Sequence, residues 1–393
     1  MTLLVVIGMP DMLEGLTFAG RVTGFLFVFA GVVQGAAAPA VLDHWGKRRV
    51  RYSGATVLLG TLIALAAESL FMLLWLQERE YTPYLLAYFP LWLWSLWALW
   101  LLILEKTWMG IPHPKSFAAG ITTTAIIASA NLAYSSMYQP ASQPLLISLE
   151  AKFGEPTVDP RTSFIEVPLT LRARNKGKVP AYIINDDYSV WGHVVELSDN
   201  SSGLKDTKKA MEEETDSARY ARLPDYKTIT AGRFVAPGST LDPGAEYTAE
   251  RLIHIPREAN YNSLEIYFSL GLMRKDKGRI NDWEFPYPHR SWDKREGRFY
   301  CPPRDCEESL IYHSKVRHNN NIVNVTRRPR YVTTWWSVTP EDSTTDSSIS
   351  SFHFQRRKEA DEEEREREMD RYGFRLFYAE AMTPFAALTQ KRN

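Results

Sequence analysis

Four long apolar runs, separated by short charged breaks, fill the first 138 residues of this chain. They lie at about 22–42, 53–76, 83–105 and 116–138, and each contains roughly 20 residues. An α-helix rises about 1.5 Å per residue and the hydrocarbon layer is about 30 Å thick, so runs of this length predict transmembrane helices. We therefore predict that residues 22–138 form an N-terminal bundle of four transmembrane helices.

Residues 1–21 precede the first predicted span. They contain no basic residue before Arg21, and Pro10 and Asp11 interrupt their first apolar run. A secretory signal peptide needs a basic start and an unbroken apolar stretch, so this segment is a poor match. We predict that it forms a short extracytoplasmic N-terminus.

The basic residues of the short loops predict how the spans are oriented, because such loops resist translocation. The loop at 43–52 contains four Lys or Arg residues and the loop at 106–115 contains two. On the other side, the loop at 77–82 has only Arg79, and the segment after the fourth span has only Lys152. This asymmetry predicts a multi-pass protein of the cell membrane with both termini outside the cytoplasm.

After a linker at 139–144, the sequence changes to short segments in which apolar and polar residues alternate. Turn residues at 175–178, 237–238 and 242–244 separate several of these segments. Short strands with polar turns and little helix predict a mainly antiparallel β-sandwich over residues 145–338, which resembles the immunoglobulin-like type. The predicted strands lie at 145–153, 163–174, 179–197, 226–236, 246–255, 263–273 and 331–338, with insertions at about 198–224 and 274–308.

The last part of the chain, 339–393, is predicted to be a polar linker followed by a charged helix. Residues 340–351 are rich in Ser and Thr, which is typical of a flexible linker. Opposite charges then recur four residues apart, as at Glu363 and Arg367, and such pairs support a solvated helix. The predicted fold class is thus α+β in two parts, a transmembrane bundle followed by a sandwich with a charged helical tail.

Glu68 is the most distinctive single residue, because a carboxylate inside an apolar span is costly. It is predicted to lie at a similar depth to Asn131 in the fourth span, and Gln34 is a further polar position in the first span. One interpretation is a proton or ion site. The other is a protonated Glu68 that joins helices by hydrogen bonds to Asn131, to Ser69 or to a backbone carbonyl.

Cys301 and Cys306 are the two cysteines of the chain, and they lie close together in the polar part. In an oxidising compartment, this spacing favours a disulfide across a bent loop. A zinc site that uses His313 and His318 is the alternative, although the interval between the pairs is shorter than in the common zinc finger. We predict the disulfide and no metal.

Aromatic residues crowd the segment at 281–303, and Trp283, Tyr287, Trp292 and Tyr300 are its candidate binding residues. Aromatic side chains on an exposed loop can anchor a protein partner or stack on a sugar. The alternative is that the loop is pinned to the sandwich by its own aromatic side chains.

Charge and motif content exclude several classes of function. The chain has 46 basic and 46 acidic residues, so no basic face points to nucleic acid. No phosphate loop, HExxH or GxSxG motif is present, and we predict no cofactor. We therefore predict binding, sensing or envelope assembly, with the lipid bilayer and another membrane or envelope protein as partners. The alternatives are a transport or channel-associated subunit that uses Glu68, and a membrane-bound enzyme without a recognisable motif.

Overall fold

The computed structural model describes residues 1–46, 49–50, 52–78, 80, 82–107, 120, 123, 127, 144–158, 160–194, 208, 211–212, 225–293, 295, 308–338, 343–351 and 362–386. The chain divides into two compact units. The helical unit comprises Met1–Pro144 together with Lys275–Ile280 and Lys315–Arg330. The β unit comprises Leu145–Arg274, Asn281–Ser314 and Tyr331–Asn393.

In the part of the helical unit that the structure describes, three helices are long and apolar enough to cross a membrane. The apolar stretches are Gly20–His44, Ser53–Leu76 and Leu85–Leu104, close to the first three predicted spans. They belong to α2 (Phe18–His44), α3 (Ser53–Glu78) and α4 (Leu85–Leu104). The fourth predicted span, 116–138, lies outside the described residues apart from 120, 123 and 127.

Residues 1–21 contain a helix of their own, α1 (Thr2–Glu14), which packs along α2. Gly8 and Gly24 lie at the contact between the two helices. A Cβ atom built on Gly24 would be 2.3 Å from the backbone nitrogen of Met12, and one built on Gly8 would be 2.7 Å from the carbonyl oxygen of Gly24. The two backbones can approach this closely because neither glycine carries a side chain.

Two short segments from the polar part of the sequence also fold into the helical unit. Lys275–Ile280 carries β8 (Gly278–Ile280), and Lys315–Arg330 carries the end of β10 (Ser309–His318) and α5 (Asn321–Thr326). Ile322 is buried in the same apolar cluster as Leu4, Ile7 and Phe71. Residues that were expected within the 145–338 range thus complete the core of the helical unit.

The described strands form three antiparallel sheets. Their strand orders are β1-β2-β6, β13-β7-β3-β4 with β5 beside β3, and β12-β11-β10-β8 with β9 beside β10. The remaining strands are β1 (Ile147–Phe153), β2 (Phe164–Asn175), β3 (Ala181–Val194), β4 (Asp225–Gly232), β5 (Thr240–Leu241), β6 (Glu246–Pro256), β7 (Ser263–Arg274), β9 (His289–Arg290), β11 (Arg330–Val338), β12 (Ser343–Ser350) and β13 (Arg375–Pro384).

The first two of these sheets pack against each other across one hydrophobic core. Inward side chains alternate along the strands, as in Val167, Leu169 and Leu171 of β2 and Ile266, Phe268 and Leu270 of β7, and all six are fully buried. This alternation is the period-2 pattern that the sequence shows for a strand with one face in a core. The expected antiparallel sheet architecture is therefore present in the β unit.

The prediction of a flexible linker at 340–351 is wrong for its described part. β12 pairs with β11 over eight residues, with Thr334 opposite Ser347. The hydroxyl groups of these two residues are hydrogen-bonded at 2.9 Å. Serine and threonine are typical of linkers, but cross-strand hydroxyl pairs also stabilise a buried strand.

The charged tail contains a helix, α6 (Glu362–Arg371), as expected, but it also contains the strand β13. β13 pairs with β7 over ten residues, from Arg375 opposite Leu272 to Pro384 opposite Ser263. Phe377, Ala379 and Ala381 of β13 pack against the hydrophobic core. The tail therefore supplies a strand of the β13-β7-β3-β4 sheet.

Candidate binding site

One face of the β13-β7-β3-β4 sheet carries polar side chains, and an irregularity in β3 determines which residues they are. The pairing of β3 with β7 shifts register between Ile183 and Asn185. Ile183 points into the core before the shift, whereas Tyr188 and Val190 point into it afterwards. Because side chains alternate along a strand, the opposite face then holds Asn185, Asp187, Ser189 and Trp191.

These four residues line an open cleft of about 790 Å³ within the β unit. Tyr267 and Ser269 of β7 extend its floor. β12 and α6 provide further walls, with residues such as Thr345 and Met369. With Arg375 and Leu376 of β13, the cleft is assembled from five elements that are far apart in the sequence.

Three buried polar atoms of the cleft lining have no hydrogen-bond partner among the described residues. They are Asn185 Oδ1, Ser189 Oγ and Trp191 Nε1. The Asn185 side chain is 3% exposed and Ser189 is 1% exposed. A buried polar group without a partner costs roughly 1–3 kcal/mol, so these atoms mark a place where water or a ligand can bind.

Charged side chains surround the cleft, and acidic ones predominate. The lining includes five carboxylates and two guanidinium groups. Each guanidinium is already paired, Arg365 with Asp346 at 2.5 Å and Arg375 with Asp370 at 2.5 Å. Asp187 accepts hydrogen bonds from hydroxyl groups of β7 and β12. The described lining thus has an excess of negative charge.

An aromatic row crosses four strands on the same face of the sheet. Trp191 of β3 is the second member, with Tyr226 of β4 on one side at 6.1 Å and Tyr267 of β7 on the other at 6.2 Å between ring centroids. Tyr267 stacks in turn on Tyr378 of β13 at 6.4 Å. The two end members, Tyr226 and Tyr378, are 63% and 66% exposed. The row therefore continues the cleft lining into solvent.

Asp186 lies deep in the β unit and holds a strand-to-loop junction together. Its carboxylate accepts backbone N–H bonds from Phe234 at 2.5 Å and Val235 at 2.8 Å, and the Arg233 guanidinium donates to it at 2.8 Å. The Arg233 guanidinium lies 4.6 Å from the centre of the Tyr312 ring. Burial raises the pKa of the Tyr312 hydroxyl, against the opposing effect of this cation. The arrangement is a structural network whose charges are compensated.

Polar contacts also fasten the 319–330 segment to the helices of the helical unit. The backbone N–H of Asn321 donates to both carboxylate oxygens of Asp11, at 3.0 and 2.9 Å. Asn319 accepts from the N–H of Leu16 and donates to Thr17. Burial raises the pKa of Asp11 to about 7, although the Asn321 hydrogen bond opposes this effect. These contacts lie where α1 ends and α2 begins.

The predicted intramembrane residues Glu68 and Gln34 line one cavity of about 630 Å³ in the helical unit. Glu68 is buried, and Ser95 of α4 donates to its carboxylate at 2.7 Å. Gln34 accepts a hydrogen bond from the Met1 ammonium group at 2.6 Å. Ser69, one expected partner of Glu68, instead accepts from the Trp92 indole at 3.0 Å. Asn131 lies outside the described residues.

Three of the four candidate residues of the aromatic loop are strongly exposed. Trp283, Tyr287 and Trp292 are 85%, 69% and 56% exposed. Phe285, between them, is fully buried beside Tyr312, with 6.3 Å between the ring centroids. One ring thus anchors the loop, and three others face solvent. Tyr300, Cys301 and Cys306 lie outside the described residues.

The two histidines of the alternative zinc hypothesis have other contacts. His313 is buried, stacks on Tyr331 and shares a hydrogen bond of 2.9 Å with Thr333. His318 accepts from the backbone N–H of Asn320 at 3.1 Å. Within the described ranges, no group of three or more His, Cys, Asp or Glu side chains is placed to hold a metal ion.

We compared the chain with protein-family models, curated proteins and solved structures. No protein-family model and no curated protein matches it. Two solved structures are similar to about a third of it. One is an X-ray structure of a Northeast Structural Genomics Consortium target, with 10% identity over 33% of this chain and 74% of the other, and a TM-score of 0.17. The other is a crystal structure designated as an ApaA protein from Bordetella pertussis, with 14% identity over 34% and 82%, and a TM-score of 0.16. Scores this low do not establish a shared fold.

Proposed function

We propose that this chain is a multi-pass protein of the cell membrane that presents its β unit outside the cytoplasm as a binding or sensing domain. In this proposal, residues 116–138 form a fourth span and the β unit is an immunoglobulin-like sandwich. The observation that carries the binding role is the cleft on β3 and β7, with its three unpartnered buried polar atoms. Nothing in a purely structural sheet requires such atoms to be left without partners.

The contacts of the 319–330 segment support the proposed orientation. This segment bonds to residues 11–17 and, through Arg328 and Arg330, to Glu80 between α3 and α4. Both places are at the helix ends far from the loop at 43–52, which follows the other end of α2. That loop holds four basic residues, which favour the cytoplasm. A segment of the polar part of the chain is thus expected on the opposite side of the bilayer.

The exposed aromatic loop supports a protein partner in the membrane or envelope. Trp283, Tyr287 and Trp292 are large rings held in solvent by a loop that Phe285 anchors. Aromatic side chains on a fixed loop lose little conformational freedom on binding, and they are enriched at interface hot spots. We propose that these rings contact such a partner.

The orientation is tested with a tag at the C-terminus of the full-length chain. Protease added to intact cells should remove the tag, whereas a tag inserted in the 43–52 loop should be degraded only after the cells are broken. Protection of the C-terminal tag in intact cells would contradict the proposal. A matched variant with the basic residues of that loop changed to Ser should show mixed orientation.

A transport or channel-associated role is the second candidate, and the cavity that contains Glu68 and Gln34 is the observation in its favour. The Ser95 hydrogen bond offers a structural role for the same carboxylate. Ion flux into vesicles that contain the wild type or Glu68→Gln separates the two, since only the transport role requires flux that the substitution reduces.

A further inference from the structure

The polar face of the β13-β7-β3-β4 sheet, which carries the cleft and the aromatic row, has features that indicate the chemistry of a ligand. We propose that the cleft and the aromatic row together bind a saccharide chain that carries no acidic groups. The inference rests on the proposed binding role, and it names the ligand class for that same cleft. Three independent properties of the face support it: its unpartnered polar atoms, its row of rings and its charge.

The unpartnered atoms call for a ligand with hydroxyl groups. Asn185 Oδ1 is an acceptor, Trp191 Nε1 is a donor, and Ser189 Oγ can do both. Because a hydroxyl group both donates and accepts, a polyhydroxylated ligand can satisfy all three atoms. All three residues lie on the same face of β3, separated by four and two residues, and all line the cleft, so one extended ligand along β3 can contact all three side chains.

The aromatic row calls for a ligand with flat, weakly polar faces. Trp191 and Tyr267 both line the cleft and are stacked with an interplanar angle of 29°. The faces of aromatic rings carry partial negative charge, and the C–H groups on the face of a sugar ring are their natural complement. Tyr226 and Tyr378 extend this surface across the outer strands, so a chain of rings gains contacts that a single ring cannot make.

Charge separates this ligand from others that stack on aromatic rings. Of the seven charged residues in the described lining, five are acidic, and both arginines are paired with acids of the lining. Nucleic acids, phosphorylated glycans and uronic acids all require an excess of basic groups. A peptide that adds a strand would pair with a sheet edge, whereas the row lies on a sheet face. A neutral saccharide needs no excess of basic groups, and it can bind to the face of a sheet.

The test uses the full-length protein in lipid nanodiscs and calorimetric titration. The probes are cellotetraose, maltotetraose, a tetramer of N-acetylglucosamine, their monosaccharides, and tetragalacturonic acid as the anionic arm. We expect at least one neutral tetramer to bind, at least ten times more tightly than its monosaccharide and than the acid. Absence of binding by every neutral tetramer, or equal binding of the acid, would overturn the proposal.

Substitutions in the cleft and the aromatic row test whether the saccharide binds there. Trp191→Ala and Tyr267→Ala should each weaken tetramer binding by at least tenfold, and Tyr378→Ala should weaken the tetramer but not the monosaccharide. Phe164→Ala, which removes an exposed ring of β2 in the β1-β2-β6 sheet, is the matched control and should change nothing. Ser189→Ala removes one unpartnered hydroxyl with the least disturbance of the fold, and it should weaken binding several-fold without lowering the melting temperature. If neutral saccharide binding survives all four cleft substitutions, the face is not the site. Because orientation is measured separately, failure here removes the ligand class and leaves the membrane topology intact.

Discussion

The guanidinium group of Arg330 is ion-paired with the carboxylate of Glu80, although 250 residues separate them in the chain. The Arg330 side chain is 1% exposed and that of Glu80 is 20% exposed. Arg330 Nη1 donates to Glu80 Oε2 at 3.1 Å, and the backbone N–H of Arg328 donates to the same oxygen at 2.8 Å. This buried ion pair links the C-terminal end of the 319–330 segment to the loop between α3 and α4.

Removing one partner should destabilise the helical unit strongly. Glu80→Gln leaves a buried guanidinium without its counter-charge, for which the expected cost is about 3–5 kcal/mol. The measurement is the apparent free energy of unfolding in detergent micelles. Arg279→Gln, which breaks the exposed pair with Glu14 at 3.8 Å, is the matched control and should cost less than about 1 kcal/mol. Similar losses in both variants would show that the buried pair is not important.

The same carboxylate gives an acid-sensitive contribution to stability. Burial alone would raise the pKa of Glu80, but the hydrogen bonds and charges of Arg330, Arg328 and Arg327 together hold it below its ordinary value. A group with a depressed folded pKa stabilises above its unfolded pKa, and its contribution is lost as the pH falls through the folded value. Stability should therefore decline in acid, and Glu80→Gln should remove part of that decline.

Asp11 should show the opposite dependence on pH. Burial raises its pKa to about 7, so the folded state binds a proton that the unfolded state releases near pH 4. Its contribution to the unfolding free energy should fall as the pH rises from about 4 to 7, by at most about 4 kcal/mol. Asp11→Asn keeps an acceptor for the Asn321 N–H without the charge. We expect this variant to be more stable than the wild type at pH 8, and Glu14→Gln, with its exposed side chain, to leave the pH profile unchanged.

Asp186 should be essential for the β unit. Asp186→Ala leaves the N–H groups of Phe234 and Val235 and the Arg233 cation without their acceptor, at an expected cost of about 3–5 kcal/mol. Thermal unfolding followed by near-ultraviolet circular dichroism measures the loss. Asp282→Ala, at an exposed position, should stay within about 0.5 kcal/mol of the wild type. An effect as small for Asp186→Ala would contradict the proposed structural role.

Substitutions in the aromatic loop should differ in their effect on stability, because Phe285 is buried and Trp283 is exposed. Phe285→Ala empties a fully buried position and should cost about 3–5 kcal/mol, whereas Trp283→Ala at 85% exposure should cost less than about 0.5 kcal/mol. Chemical denaturation of both variants provides the comparison. If Trp283→Ala proves the more damaging change, the ring is buried against something in the native protein.

The sequence allowed the periodic elements to be predicted, because local patterns determine them. The helices α2, α3 and α4 follow from apolar runs, and β2 and β6 from the alternation that one buried face imposes. β13 carries the same alternation, but its position after a charged helix led to its assignment to the tail. β12 could not be recognised, because its buried face is made of hydroxyl groups that find their partners only in β11.

The candidate site could not be predicted in the same way. Asn185, Ser189 and Trp191 share a face only because the register shifts after Ile183, and no composition signal marks that shift. The walls come from β12 and α6, which lie more than 100 residues later in the chain. In the sequence, Asp11 is visible only as an interruption of an apolar run, because its partner Asn321 is 310 residues away. Interactions between such distant residues depend on the whole fold.

The insertion of Lys315–Arg330 into the core of the helical unit affects how the protein is made. At roughly 5–20 residues per second, a ribosome that has completed Glu80 needs about 10–50 s more to deliver Arg330. The first helices must wait in the nascent state during that interval, with Asp11, Glu80 and the apolar site for Ile322 unfilled. Maturation of the helical unit is therefore a late event of synthesis, and a stalled or truncated chain would leave these helices open to chaperones and membrane proteases.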